Sequence, residues 1–364
     1  MPTTYGFADL QHLYNTRIVD AGPTRVWTAI QESLTEYNRV VDALMTGFVQ
    51  RTTIAQEQVE LPGDGTLQPL SEHGNPLPVL PSGNYQVGYP IQGAGTAWGD
   101  NRVSRALMTV EEADRNTADA MRRDMDWMRR HIMAALLDNA SWTFNDKVGP
   151  NGSRGLGDIT VQPLANNDSV VYMRRGGALA ADNHYLAQAA AIADADNPFP
   201  GLRAELIEHP SNAGPFIAYV PSNLIAAAAA LTEFVEADDP DIRYGADNDT
   251  LSAMRADILG PGDEVIGKTK SSNMWIVEWG ALPSDYIIAV ASGAASPALR
   301  MREYSAPELQ GFFPERADVD GNHLVTRMLR YAGFGVSNRV AAAVLRVGNA
   351  SYAIPAGFDA PLPV

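Results

Sequence analysis

The 364-residue chain contains no cysteine. Disulfides, thiolate nucleophiles and cysteine-based metal sites are therefore excluded. Lysine is nearly missing, since Lys147, Lys268 and Lys270 are the only ones. The other bases are arginines, which form forked pairs with carboxylates more readily than lysine does. Positive charge is short overall: 43 acids against 27 bases leave a formal net charge of −16. A protein that must neutralise phosphates along a nucleic acid is disfavoured by that balance. Long apolar runs are lacking too. The longest, Leu224 to Leu231, is far short of the ~20 residues needed to span a bilayer. The first twenty residues lack the basic and apolar blocks of a signal peptide, so a cytosolic protein is expected.

One stretch combines these shortages. Residues 60–100 contain no lysine or arginine and are rich in glycine and proline. Connections of this length are unusual, because most run to only ~4–6 residues. Yet Leu61, Leu77, Leu80, Tyr85, Val87, Tyr89 and Trp98 give the stretch too much apolar surface for a solvated chain. It reads as an arm that becomes ordered on another surface, as in a subunit of an assembly. The alternative is a β-hairpin packed on its own domain.

Around the arm the periodicity is clearer. Residues 1–22 read as irregular. Pro23 opens a helix whose apolar face is Val26, Ile30, Leu34, Tyr37, Val41, Leu44 and Phe48. Residues 49–60 are β-prone. Thr109 and Glu112 form a T-x-x-E capping box. The helix it starts carries a stripe of Val110, Ala113, Thr117, Met121, Met125, Met128, Ile132, Ala135 and Leu136, and should reach Asn139. Opposite the stripe stand Glu111, Asp119 and Asp126, each four residues before Arg115, Arg123 and Arg130. Further on, helices are expected over 179–193, 201–208 and 223–236, the last capped by Ser222. Strands are expected at 158–164, 169–175, 216–221, 263–270, 273–279, 284–291 and 298–304. Residues 323–336 and 338–355 read as paired closing strands. The class is α+β, with no regular strand–helix alternation.

The chemical motifs are weak. Gly262 to Thr269, GDEVIGKT, fits the phosphate-loop pattern by letter. Its flanks read as strand rather than strand-to-helix, and Asp263 and Glu264 would repel phosphate, so a turn bearing a lysine is the expected reading. The six histidines are scattered, without the pairing of an H-E-x-x-H helix. GSRG at 152–155 is not a nucleophile elbow. Asp318, Asp320 and Gly321 begin like a calcium loop but lack the closing glutamate. The methionines and tryptophans of 121–142 read as core packing. No catalytic, cofactor-binding or metal-binding residues are assigned, and a non-enzymatic protein is expected.

The order of parts resembles the major capsid proteins of tailed bacteriophages, the Hong Kong-97-type fold. Residues 109–139 would be the spine helix, and YVPSNLIAAAAALTE (219–233) resembles the strand, proline turn and helix of the axial domain. YAGFGVSNRVAAAVLRV (331–347) resembles the closing strand, often written G-hydrophobic-x-N-R-x-A. The resemblance implies an N-terminal arm and helix over 1–48 and an extended loop over 49–108. It further implies a peripheral domain over 109–200, a mainly axial domain over 201–322 and closing strands over 323–364. The implied function is a self-assembling capsid subunit forming hexamers and pentamers around double-stranded DNA. The implied place is the virion, assembled in the host cytoplasm, with scaffolding, portal and decoration proteins as partners. Some relatives crosslink a loop lysine to a neighbour, a route this lysine-free loop lacks. With about twenty residues before the first helix, a separate scaffolding protein is implied, or none. Candidate inter-subunit contacts are Asp64, Glu72, Leu77, Leu80 and Tyr85 on the arm and Arg122, Arg123, Arg129 and Arg130 on the spine. An encapsulin-type nanocompartment, with a shorter loop, is the alternative; a phosphate-loop enzyme rests on residues 262–269 alone.

Overall fold

The computed structural model describes residues 6–45, 48–61, 70–75, 83–98, 102–148, 154–237, 262–319 and 323–362. A 3-10 turn, Gly6–Leu13, and helix α1 (Ile18–Ala21) precede α2 (Pro23–Met45). Strands β1 (Val49–Thr52) and β2 (Gln56–Leu61) lead into the arm, and β3 (Gly83–Gly88) and β4 (Gln92–Trp98) lead out. Helix α3 (Arg102–Leu107) is followed by the 28-residue α4 (Val110–Leu137). Next come β5 (Trp142–Val148), β6 (Arg154–Val161), β7 (Asn166–Met173), β8 (Leu179–Asn183), β9 (Tyr185–Gln188) and α5 (Pro198–Ile207). Strand β10 (Phe216–Val220), α6 (Ser222–Ala229) and β11 (Phe234–Glu236) follow. The remainder is β12 (Glu264–Thr269), β13 (Met274–Glu278), β14 (Tyr286–Ala291), β15 (Leu299–Glu303), β16 (Phe312–Val319), β17 (His323–Val336) and β18 (Ala342–Val347).

A seven-stranded mixed sheet, in the order β11-β12-β13-β10-β14-β18-β9, forms the centre. Its middle strands read FIAYV and YIIAVA and are buried at every position, the run expected of strands covered on both faces. One face, with Ile217, Tyr219, Val277, Ile288 and Val290, meets the second half of α4 through Met128, Ile132, Leu136 and Leu137. The other face, with Ala218, Ile276, Ile287 and Ala289, meets α5 and α6 through Phe199, Leu202, Leu206, Leu224 and Ala228. A second sheet joins β1, β15, β17 and β16, with β4 on β17. The first halves of α2 and α4 pack together with the 3-10 turn, Phe312 and Met328.

The capping box forms: the Thr109 hydroxyl accepts from the Glu112 N–H, and Glu112 accepts from the Thr109 N–H. At ~1.5 Å per residue the 28-residue helix is ~42 Å long. It stops at Leu137, two residues short of the expected end, where the Asp138 carboxylate takes the N–H of Ala140.

Four expectations are corrected. Residues 6–21 are ordered turns, because Phe7, Leu10 and Ile18 bury themselves against α2. Residues 179–193 hold β8 and β9, not a helix. Register with β18, Tyr185 opposite Val344, overrides a locally helical composition. Helix α6 ends at Ala229 and gives way to β11, since Thr232 donates its N–H (2.8 Å) and hydroxyl (2.6 Å) to Asp194. The two closing strands do not pair with each other: β17 joins β15, β16 and β4, whereas β18 lies between β14 and β9.

Candidate assembly surface

The arm stem is a hairpin. Strand β2 pairs with β3 from Gln56↔Gly88 to Leu61↔Gly83. Its apolar side rests on the chain itself, because Leu61, Tyr85, Val87 and Tyr89 pack with Ala165, Tyr172 and Val340. Tyr85 lies edge-on to Tyr172 and under the Arg339 guanidinium. Its ring therefore serves the subunit interior rather than an open surface, and at the stem the packed-hairpin alternative holds. Glu72 and Leu70 are exposed. Asp64, Leu77 and Leu80 lie outside the described residues.

The base of the arm is held at close range by glycines. A Cβ on Gly333 would come within 2.4 Å of the Pro90 carbonyl oxygen, and one on Gly335 within 2.7 Å of that of Gly88. The GVSNR segment (335–339) then locks the crossover. The Ser337 hydroxyl donates to the Pro297 carbonyl and the Asn338 amide to that of Ser296. Arg339, wholly buried, donates to the carbonyls of Pro163 and Leu164 and pairs with Asp168 at 2.7 Å.

On α4 the four candidate arginines fall into different settings. Arg122 and Arg123 are exposed and both pair with Asp119, at 2.6 and 2.7 Å. Those bonds hold the Asp119 carboxyl below its usual range. Asp126 approaches Arg122 at 3.8 Å rather than pairing with Arg130, which is exposed. Arg129 is half-buried and reaches Asp263, just before β12 of the central sheet, at 3.8 Å. The structure brings Arg122, Arg123 and Arg130 to solvent and turns Arg129 inward.

Two polar clusters escaped the sequence reading. Within the stripe of α4, Asp124 is buried and binds Arg330 of β17 through two bonds, 2.6 and 2.7 Å. Tyr37 of α2 donates to the same carboxylate at 2.7 Å, and burial followed by that negative charge raises the Tyr37 pKa. An aspartate on an otherwise apolar stripe, with lone arginines in strands, was the available signal.

The second cluster joins histidines far apart in sequence. His184 lies between β8 and β9, and His209 follows α5; their Nε2 atoms are 3.2 Å apart. Asp182 Oδ2 stands 2.9 Å from His209 Nε2 and 3.8 Å from His184 Nε2. Burial keeps His184 below the ordinary histidine pKa. Glu205 is pushed up to about 7, first by burial and then by Asp182 and Glu208. The expectation of scattered histidines is corrected here, since a D-x-H in an extended segment carries no pairing signal.

Residues 262–269 form no loop for phosphate. Glu264–Thr269 is β12, antiparallel to β13, and Lys268 lies 5.1 Å over the Trp275 ring. The expected turn lysine is thus a half-buried strand residue. Asp320 and Gly321, and residues 151–153, lie outside the described residues. Among the described residues no helix is long and apolar enough to cross a membrane.

No protein-family model and no curated protein matches the chain. Solved structures do. A chain of Mycobacterium phage Patience is 20% identical with a TM-score of 0.61, the match covering 89% of this chain and 88% of that one. A chain from the capsid of an empty GTA particle is 13% identical at TM-score 0.45, covering 84% and 88%. A chain of the bacteriophage PhiM1 mature capsid is 10% identical at 0.43, covering 84% and 87%. The likeness to the mycobacteriophage chain shows a shared fold along nearly the whole length. Arm stem, long spine helix and mixed α+β remainder make that fold the Hong Kong-97 type expected from the sequence.

Proposed function

We propose that this chain is the major capsid protein of a tailed bacteriophage, a structural subunit that tiles hexamers and pentamers into an icosahedral shell around double-stranded DNA. The observation that carries the reading is the fold shared with a mycobacteriophage chain over 89% of this one. The charge agrees: a subunit with a net charge of −16 lines a DNA-filled interior without gripping the genome. The 21 residues between β2 and β3 are long enough for an arm toward a neighbouring subunit, and the strands that flank them rest on a glycine-tight base. Arg122, Arg123 and Arg130 on the exposed face of α4, with Glu72 on the arm, are the contacts offered to neighbours. The parts are then the arm, the extended loop, a peripheral domain built on α4 and an axial domain built on the central sheet. The partners are further copies of this chain and the scaffolding, portal and decoration proteins of such particles; the location is the virion, after assembly in the host cytoplasm. The subunit works as a building block and not as an enzyme.

Negative-stain microscopy of the purified protein, with sedimentation, tests this. Closed icosahedral shells are expected, alone or with a scaffolding protein. A chain that stays monomeric under all such conditions overturns the proposal. Shells that fill with a protein cargo and no DNA in infected cells would place the chain among nanocompartments instead.

A further inference from the structure

We propose that Asp182, His184 and His209 form a site for a divalent transition metal, best matched by zinc. The hydrogen bonds on the far side of each imidazole carry the inference. His184 Nδ1 lies 2.7 Å from the Ala342 carbonyl oxygen, and His209 Nδ1 3.1 Å from that of Met173. A carbonyl only accepts, so both Nδ1 atoms carry the proton. In the neutral rings both Nε2 atoms then present lone pairs, and they face each other at 3.2 Å. Asp182 adds a third electron-rich atom. Its Oδ1 is already used by the Asn183 N–H at 2.8 Å and by Arg174 at 3.3 Å. Its Oδ2 has no hydrogen-bond donor and points at the two rings, in a side chain 2% exposed. The 2.9 Å approach of Oδ2 to His209 Nε2 is thus lone pair against lone pair unless a cation lies between them.

The spacing suits such a cation. In a tetrahedron with zinc–ligand bonds of ~2.0–2.1 Å, donor atoms sit about 3.3 Å apart. The three separations here are 2.9, 3.2 and 3.8 Å. Glu208 Oε1, which has no hydrogen-bond donor of its own, lies 3.7 Å from His209 Nε2 and adds negative charge beside the three ligands, leaving the fourth position to a solvent ligand. A histidine that fixes its metal-bound nitrogen by donating the other N–H to a backbone carbonyl is the usual outer-shell arrangement. Charge points the same way: Asp182, Glu205 and Glu208 crowd together, with Arg174 as their cationic partner among the described residues. A donor set of two imidazole nitrogens and one carboxylate oxygen fits zinc better than calcium or magnesium, which take oxygen ligands in larger number. A cleft of about 670 Å³, bordered by Tyr172, Met173 and His209, gives the ion a way in. Bound there, the metal would fasten strand β8 to the end of α5 and so to the edge of the central sheet.

The test uses untagged full-length protein, so that no added histidines bind metal. Elemental analysis after gel filtration in zinc should find about one zinc per subunit. Chelation should lower the thermal midpoint by several degrees, and zinc should restore it. Cobalt should give the visible absorption of a four-coordinate site, lost on adding zinc. His209→Ala and Asp182→Asn should abolish both stoichiometric zinc and the cobalt spectrum. Should those variants fail to fold, the cobalt spectrum of the unaltered protein still decides. Substoichiometric zinc, no four-coordinate cobalt spectrum and a midpoint indifferent to chelator would overturn the site. The cluster would then be an imidazolium sharing its proton with Asp182. The metal content of the folded subunit decides this whether or not shells form.

Discussion

Replacing Asp124 by alanine should be among the most damaging single changes in the spine helix. The carboxylate is 3% exposed and the Arg330 guanidinium wholly buried, joined by bonds of 2.6 and 2.7 Å. Tyr37 donates to Asp124 at 2.7 Å, so α4, β17 and α2 meet at one group. Removing it leaves the Tyr37 hydroxyl without its acceptor and the buried Arg330 with the longer approaches of Asn38, at 3.5 Å, and Glu303, at 3.9 Å. Breaking one partner of such a pair costs ~3–5 kcal/mol, a large part of a total stability of ~5–15 kcal/mol. The cost comes from stranding Arg330, not from losing a net attraction, and the two causes can be separated. In the double variant Asp124→Leu, Arg330→Met both charges go and apolar groups fill the space, so much of the loss should be recovered. Urea unfolding of the free subunit, followed by tryptophan fluorescence, measures the cycle. A single variant costing under about 1 kcal/mol, or a double variant equal to the sum of the singles, would refute the reasoning.

Gly333→Ala would drive a methyl group against the Pro90 carbonyl at 2.4 Å; a loss of ~1–3 kcal/mol is expected, and wild-type stability would show that the arm base is looser than described. Arg122→Glu should leave unfolding of the subunit nearly unchanged and impair shell formation, whereas loss of folding first would assign that arginine to the subunit. Lys268→Ala should cost ~0.5–1 kcal/mol through the lost contact with Trp275, and calorimetry with ATP should show no saturable heat before or after the change. His131 is held below its ordinary pKa, chiefly by burial and further by the nearby Arg130 charge, while its Nδ1–H donates to Trp127. The unfolded chain therefore takes up a proton that the folded one resists. The His131 contribution to stability is level above the unfolded value of ~6.5 and falls as pH drops below it. His131→Phe should flatten that part of the stability-against-pH curve; an unchanged slope would place its origin elsewhere.

Local signals of the sequence were read well where one element satisfied itself. The capping box, the face of α2, the fully apolar strands β10 and β14 and the four strands between 263 and 304 all appear with small shifts of boundary. Misreadings arose where a distant partner decided. The 179–193 segment looks helical until β18 is known to lie beside Tyr185, and α6 looks long until Asp194 captures Thr232. The candidate contacts were partly legible. Exposure of Arg122, Arg123 and Arg130 follows from the apolar stripe on the other side of α4, but the burial of Tyr85 depends on Tyr172 and Val340, far along the chain.

The shortage of lysine now has a structural sense. Arg300 and Arg302 stand on β15, Arg330 on β17 and Arg339 just beyond it, and each ties down an outlying part. Arg300 meets Glu57 of the arm at 2.6 Å. Arg302 grips Asp146 of β5 at 3.1 and 3.2 Å and donates to the Tyr89 carbonyl at the arm base. Arg330 holds the spine helix, and Arg339 holds residues 163–168. An ammonium carries three donors around one point, whereas a guanidinium offers a rigid fork that serves a carboxylate and a carbonyl at once. Arg302 and Arg339 use it in that way. A subunit whose arm must leave at a fixed angle needs its base, its spine and its sheet held as one body. These forks, buried at Arg302, Arg330 and Arg339, hold it from within, and the proposed contacts of α4 are separate, exposed arginines.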